Sequence, residues 1–129
     1  MLKDIVKKYI DDWNSGAPSK YNCAEVILRS MNDYYDLSMS EDELKMAAGF
    51  GGGMKVGSVC GILTGAVMGL SRIYRADNPE IKAKLSLKTT QLMKAFVSKY
   101  GSDICFHVID NGCIDMIFYT SDLIEDICD

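Results

Sequence analysis

Apolar residues recur at helical spacing from the start of the chain. Leu2, Ile5, Val6, Tyr9, Ile10 and Trp13 fall three or four apart and predict a helix from residue 2 to about 14. The stretch from Asn14 to Pro18 stops it. A second helix begins near Ser19 or Asn22, either of which can cap it, and carries Cys23, Val26, Ile27, Ser30 and Met31 inward. Asn32 to Ser38 reads as a connection. Ser40 with Glu43 three residues on forms a capping box, opening a short helix through Ala48 that Gly49 ends.

The most unusual stretch follows. From Val56 to Leu70 there is no charge, and glycine recurs every fourth residue at Gly57, Gly61, Gly65 and Gly69, with Cys60 and Thr64 beside the row. Positions four apart share one ridge of a helix. Each glycine in a helix interior costs about 1 kcal/mol relative to alanine, so the row needs a packing or functional reason. It predicts a buried central helix from about Ser58 to Arg75, with a groove that admits another helix closely. Asn78-Pro79 is an N-cap followed by proline at the first helical position, and starts a long helix to about Tyr100, closed by Gly101. Ser102 caps a short segment with Ile104, Cys105, Val108 and Ile109. Asn111-Gly112 breaks the chain, and Cys113 to about Asp126 reads as one or two further helical turns. The expected fold is all-α, a single compact domain over residues 1–129 with five to seven helices around the glycine-rich one.

Composition narrows the function. The 129 residues allow one domain with a real core. A net charge of −4 makes nucleic acid an unsuitable partner. The N-terminal stretch is amphipathic and has no apolar signal core, so the expected compartment is the cytoplasm. Val56 to Leu70 falls short of the roughly 20 apolar residues that span a bilayer, so no membrane insertion is expected. Five cysteines, an odd number, argue against a disulfide framework and leave reduced core thiols, a metal site or redox chemistry. No CxxC is present, which excludes a thioredoxin-type pair and a zinc ribbon.

The cysteines share a setting. Cys23 follows Asn22, Cys60 follows Ser58, Cys105 follows Ser102 and Cys113 follows Asn111-Gly112, so each falls in or near the first turn of a predicted helix. Unpaired N–H groups and the positive end of the helix dipole lie there. The placement is expected to lower the thiol pKa toward neutrality. Cys128 has no such setting. The alternative is plain space filling, since free cysteine is among the most buried residue types.

Other signals carry less. Gly49 to Gly53 lacks the Gly-Lys-Ser/Thr of a phosphate loop and reads as a loop with positive φ. His107, two residues from Cys105, could supply a ligand or a proton, but a surface or capping role fits the chain's single histidine better. Thr64 can hydrogen-bond a Cys60 thiolate or bond back to the Cys60 carbonyl. Trp13 and Tyr21 read as core edges, and Lys82, Lys84, Lys88 and Lys94 as the wet face of the long helix.

Taken in order, Tyr21-Asn22-Cys23-Ala24-Glu25, Gly49 to Met54, Val59 to Ala66 and Gly101 to Cys105 resemble the C-GCAxxG-C-C family of redox-active proteins. The resemblance implies a small helical domain with four characteristic cysteines. Similarity to the non-haem domain of split-Soret cytochromes further implies that they hold an iron–sulfur cluster. By position, Cys23, Cys60 and Cys105 match the first three cysteines. Cys113 is taken as the fourth because Ile114 to Ile117 continue as an apolar helix would, with Cys128 as competitor. Ile62 stands where the family usually has alanine, and the segment between the third and fourth cysteines is short.

Three functions follow. In the first, Cys23, Cys60, Cys105 and Cys113 ligate an iron–sulfur cluster or a soft metal ion for electron transfer with a redox partner protein. In the second, no metal is present; Cys60 attacks as a low-pKa nucleophile, Cys23 or Cys105 resolves, and Met54 with the glycine loop forms the rim. In the third, the glycine ridge and the eight methionines make an interaction module, with the ridge packing a homodimer. Whether the protein is an enzyme stays open among them.

Overall fold

The computed structural model describes residues 1–128, which form seven α-helices; among them there is no β-strand, only an isolated antiparallel bridge between Val59 and Ile104. Helix α1 spans Leu2–Tyr9, α2 Cys23–Tyr35, α3 Glu41–Leu44, α4 Gly61–Ile73, α5 Pro79–Tyr100, α6 Cys105–Val108 and α7 Cys113–Ile127. A 3-10 turn, Lys45–Phe50, extends α3, and a wide turn, Gly53–Gly57, leads into α4. The all-α single domain expected from the pattern is what the chain forms.

The centre is the pair α2 and α4, and glycine explains how closely they approach. A Cβ on Gly65 would lie 2.5 Å from the Ala24 carbonyl oxygen and 2.5 Å from Cγ2 of Ile27. The third glycine of the row, Gly69, lies against Met31, and Gly61 against Cys23. Only these three are helical. Gly57 sits in the preceding turn at φ +75°, beneath the ring of Phe106, so the helix is shorter than predicted. The ridge is therefore covered by α2 of the same chain, which removes it as the surface of a homodimer.

Nearly every residue of α2 from Ala24 to Met31 is buried, because it is enclosed on two sides. Val26, Ile27 and Met31 join the main core with Leu63, Ala66 and Leu70, while Ala24 and Leu28 meet Leu44 and Ala47 of the α3 hairpin. Arg29 is buried too, at 5% exposure. It is held by a two-pronged ion pair to Glu41 (2.6 and 3.1 Å) and by the ring of Tyr21, 4.2 Å from the guanidinium carbon.

Several predicted boundaries hold and others move. Asn78 caps α5 by accepting the Ile81 N–H, Pro79 opens it and Gly101 ends it in the left-handed region, as read. The Ser40–Glu43 capping box forms. Helix α1 stops at Tyr9, since Asp12 turns back on the chain: its carbonyl accepts the Ser15 hydroxyl and its carboxylate the Lys20 N–H. Helix α2 runs on through Asn32 to Tyr35, where left-handed Asp36 ends it. Helix α7 is a full 15-residue helix rather than one or two turns. Met116, Ile117, Thr120, Ser121 and Ile124 supply its buried stripe at three- and four-residue spacing. Along α5, Lys82 and Lys94 are exposed but Lys84 and Lys88 are half-buried, Lys84 lying over the Tyr74 ring. Among the described residues no helix is long and apolar enough to cross a membrane.

Candidate functional site

Four of the five cysteines stand at helix starts, as the sequence predicts. Cys23, Cys105 and Cys113 are the first residues of α2, α6 and α7, and Cys60 is the N-cap of α4. The fold then gathers these starts. The Val59–Ile104 bridge ties two of them, with the Cys60 N–H donating to the Asp103 carbonyl (2.8 Å) and the Cys105 N–H to the Ser58 carbonyl (2.6 Å). Cys23 comes in from α2: its sulfur lies 2.5 Å from where a Cβ on Gly61 would be. Cys113 shares an open cleft with Cys23.

Glycine makes the gathering possible from the other side as well. A Cβ on Gly53 would lie 2.9 Å from Cβ of Cys105 and 2.6 Å from the Ser58 carbonyl oxygen. Gly52, Gly53, Met54, Lys55 and Gly57 all have positive φ, a left-handed run that closes over Cys105. For Met54 and Lys55 this costs roughly 1–2 kcal/mol each. The expected positive-φ loop is present, displaced toward residues 52–57. Asn22 fixes the start of α2, accepting the Glu25 N–H and donating its amide to the Ala48 carbonyl at 2.8 Å.

All five cysteines are free thiols. Cys60 and Cys105 are buried, at 3% and 8% exposure, while Cys23 and Cys113 are half-buried beside the cleft. The lowered thiol pKa expected from the helix starts is not found at three of them. Burial pushes the Cys60 thiol up to about 12, and the neighbouring Cys23 and Cys105 add to the rise. The N–H groups of Ile62 and Leu63 pull the other way and are outweighed. Burial likewise raises Cys105, with Cys23 contributing, and Cys113, with Cys23 and Cys105 contributing. Desolvating a thiolate beside other sulfurs costs more than one helix end returns. Burial of Cys60 thus works against the low thiol pKa that the metal-free reading expects there.

A pH effect on stability follows. Folding pushes the Cys60 thiol from its ordinary value of 9.0 up to about 12, so the folded state holds the proton more tightly between those values. Its stabilising share is complete below pH 9 and is lost as pH rises toward 12. The raised Cys105 and Cys113 act in the same sense. Within the window the Cys60 thiol removes up to about 1.4 kcal/mol per pH unit. Urea unfolding of the reduced, metal-free protein should give a clearly lower midpoint at pH 10 than at pH 8, and Cys60→Ala should flatten the difference. Equal midpoints would contradict the burial argument.

Cys128 lies elsewhere. It hydrogen-bonds Tyr35, whose hydroxyl pKa is raised by burial and by this thiol. Tyr35 ends α2 and Cys23 begins it, 12 residues earlier (35 minus 23), or roughly 18 Å along the axis. His107 is exposed and its Nδ1 meets the Ser102 hydroxyl at 3.1 Å, a local cap rather than part of the sulfur group. The Thr64 hydroxyl donates to the Gly61 carbonyl at 3.2 Å, not to Cys60.

The cleft encloses about 710 Å³, and its walls include Trp13, Tyr21, Cys23, Cys113, Ile114 and Asp115. Sequence reasoning placed Trp13 and Tyr21 at core edges. Each is half-buried and packs against the core, but each also presents a side to this opening. Only the packing of the segment after α1 and the start of α7 around the start of α2 reveals the second role. Among the described residues no three His, Cys, Asp or Glu side chains converge closely enough to hold a metal ion.

The family model described as putative redox-active protein (C_GCAxxG_C_C) matches residues 21–127, which include all four helix-start cysteines. No curated protein and no solved structure matches the chain.

Proposed function

Because the chain belongs to the C-GCAxxG-C-C family of putative redox-active proteins, we propose that Cys23, Cys60, Cys105 and Cys113 hold an iron–sulfur cluster that passes electrons to a redox partner protein. The observation that carries the reading is the gathering of helix starts: the Val59–Ile104 bridge ties Cys60 to Cys105, the Cys23 sulfur lies against Gly61 beside Cys60, and Cys113 shares the cleft with Cys23. Four soft donors held as one group suit iron–sulfur and zinc chemistry.

The raised thiol pKa values fit a centre that brings positive charge with it, since buried thiols that resist ionising alone become thiolates when it enters. When bound, the cluster would supply one-electron chemistry. The chain contributes the rest: Gly53 and Gly61 leave room for the sulfurs, the Ile62 and Leu63 N–H groups face the Cys60 sulfur, and α4 excludes water behind Cys60.

Anaerobic purification, or reconstitution with ferrous iron and sulfide, tests this reading. Iron and acid-labile sulfide in comparable amounts, with visible absorption that bleaches on reduction, is the expected result. Zinc, or iron without sulfide, would indicate a single ion. Absence of both, together with one titratable disulfide, would sink the proposal in favour of thiol–disulfide exchange.

A further inference from the structure

The four sulfurs are not equivalent: Cys60 and Cys105 are sealed, whereas Cys23 and Cys113 form part of the cleft wall. At about 710 Å³ the cleft has the size of a small-molecule site, usually 300–1,000 Å³. Its lining is mainly apolar, with the Trp13 indole and Ile114 prominent. The polar members Asn14, Ser19 and Asn22 carry no charge, and Asp115 is the only ionisable group besides the tyrosine and the two thiols. No lysine, arginine or histidine lines it. A phosphate or sulfonate would therefore enter against a carboxylate, with Lys20 beside the cleft over the Tyr21 ring rather than in its lining. The Tyr21 ring is already engaged, since Arg29 and Lys20 lie over it and Tyr9 packs against it in a T-shaped pair. The aromatic surface left for a ligand is that of Trp13.

From this lining we infer that the cleft binds a flat, uncharged, redox-active ring with hydrogen-bonding edges, the chemistry shared by flavin and quinone rings, against Trp13 and beside Cys23 and Cys113. Such a ring would exchange electrons at the open side of the sulfur group. That purpose rests on the iron–sulfur reading, whereas occupancy of the cleft does not.

Trp13 is the single tryptophan of the chain, so intrinsic fluorescence reports on the cleft directly. Titration of the full-length protein, with and without reconstituted iron and sulfide, uses three probes. Riboflavin is a neutral flavin, FMN is the same ring with a phosphate, and duroquinone is a neutral quinone with no open position for thiol addition. The expected result is saturable quenching by at least one neutral ring, which also identifies the ring type. FMN should bind about tenfold more weakly than riboflavin if a flavin is the ligand. Ser19 is exposed, so Ser19→Lys is not expected to disturb the fold, and it should improve FMN binding by about fivefold, the size of one partly exposed ion pair. If duroquinone alone quenches, a sulfonated quinone takes the place of FMN in both comparisons. Absence of saturable quenching by either neutral ring, or charged-ring binding as tight as neutral and indifferent to Ser19→Lys, overturns the inference. Iron and sulfide content is measured separately, so failure of the cleft and failure of the cluster are told apart.

Discussion

Gly65→Val is expected to destabilise the protein by about 3 kcal/mol, lowering the melting temperature by roughly 10 °C. The reason is the identity of what the new atoms would meet. At Gly65 a Cβ comes within 2.5 Å of the Ala24 carbonyl oxygen, which belongs to the backbone of α2 and cannot swing aside. At Gly69 the obstacle is the flexible side chain of Met31, so Gly69→Ala should cost less. The control is Gly49→Ala: nothing lies within 4 Å and φ is not positive, so stability should hold or rise slightly. Thermal unfolding of the three variants, followed by far-ultraviolet circular dichroism, checks the ranking. If Gly65→Val melts with the wild type, the two helices are not packed as described.

The second large effect separates the cysteines. After anaerobic reconstitution, Cys113→Ser should lose most of the iron and sulfide, and Cys128→Ser should keep both. Cys113 stands with Cys23 at the cleft, whereas Cys128 hydrogen-bonds Tyr35 at the opposite end of α2. The thermal unfolding of the two metal-free variants should remain close to wild type, because Cys113 and Cys128 are only half-buried. The reverse outcome, with Cys128 needed and Cys113 dispensable, would place the fourth ligand on the tail of α7 and remove the geometric basis for the group.

Much of this architecture was legible because local signals were strong. Asn78-Pro79 with Gly101 defined a long helix at both ends, and the Ser40–Glu43 box defined another start. The helix start at Cys23 was legible for the same reason, since Asn22 caps α2, whereas the starts at Cys60, Cys105 and Cys113 carry no side-chain cap and were read from the breaks before them. The thiol pKa was not legible. It depends on how deeply α4 buries Cys60 and on which other sulfurs come near, and both are tertiary facts. The glycine row shows the same divide: a fourfold spacing announces a close helix contact, but not whether the partner is α2 or another copy of the chain. Helix α7 was underread because the acidic Asp115, Asp122, Glu125 and Asp126 interrupt its apolar pattern, although Glu125 turns inward to accept the Leu2 N–H, and the buried stripe becomes a core face only where α1, α2, α4 and α5 meet it.

The bridge between Val59 and Ile104 joins segments 45 residues apart (104 minus 59), and the four grouped sulfurs span 90 (113 minus 23). No partial chain emerging from the ribosome can present the whole set before Cys113 has cleared the exit tunnel and α7 has docked. Loading of any inorganic centre is thus confined to a late moment, after most of the domain has collapsed around the path by which its atoms must enter. Cells that make this protein would need either a donor able to reach in through the cleft or a way of holding the left-handed turn open until delivery is complete.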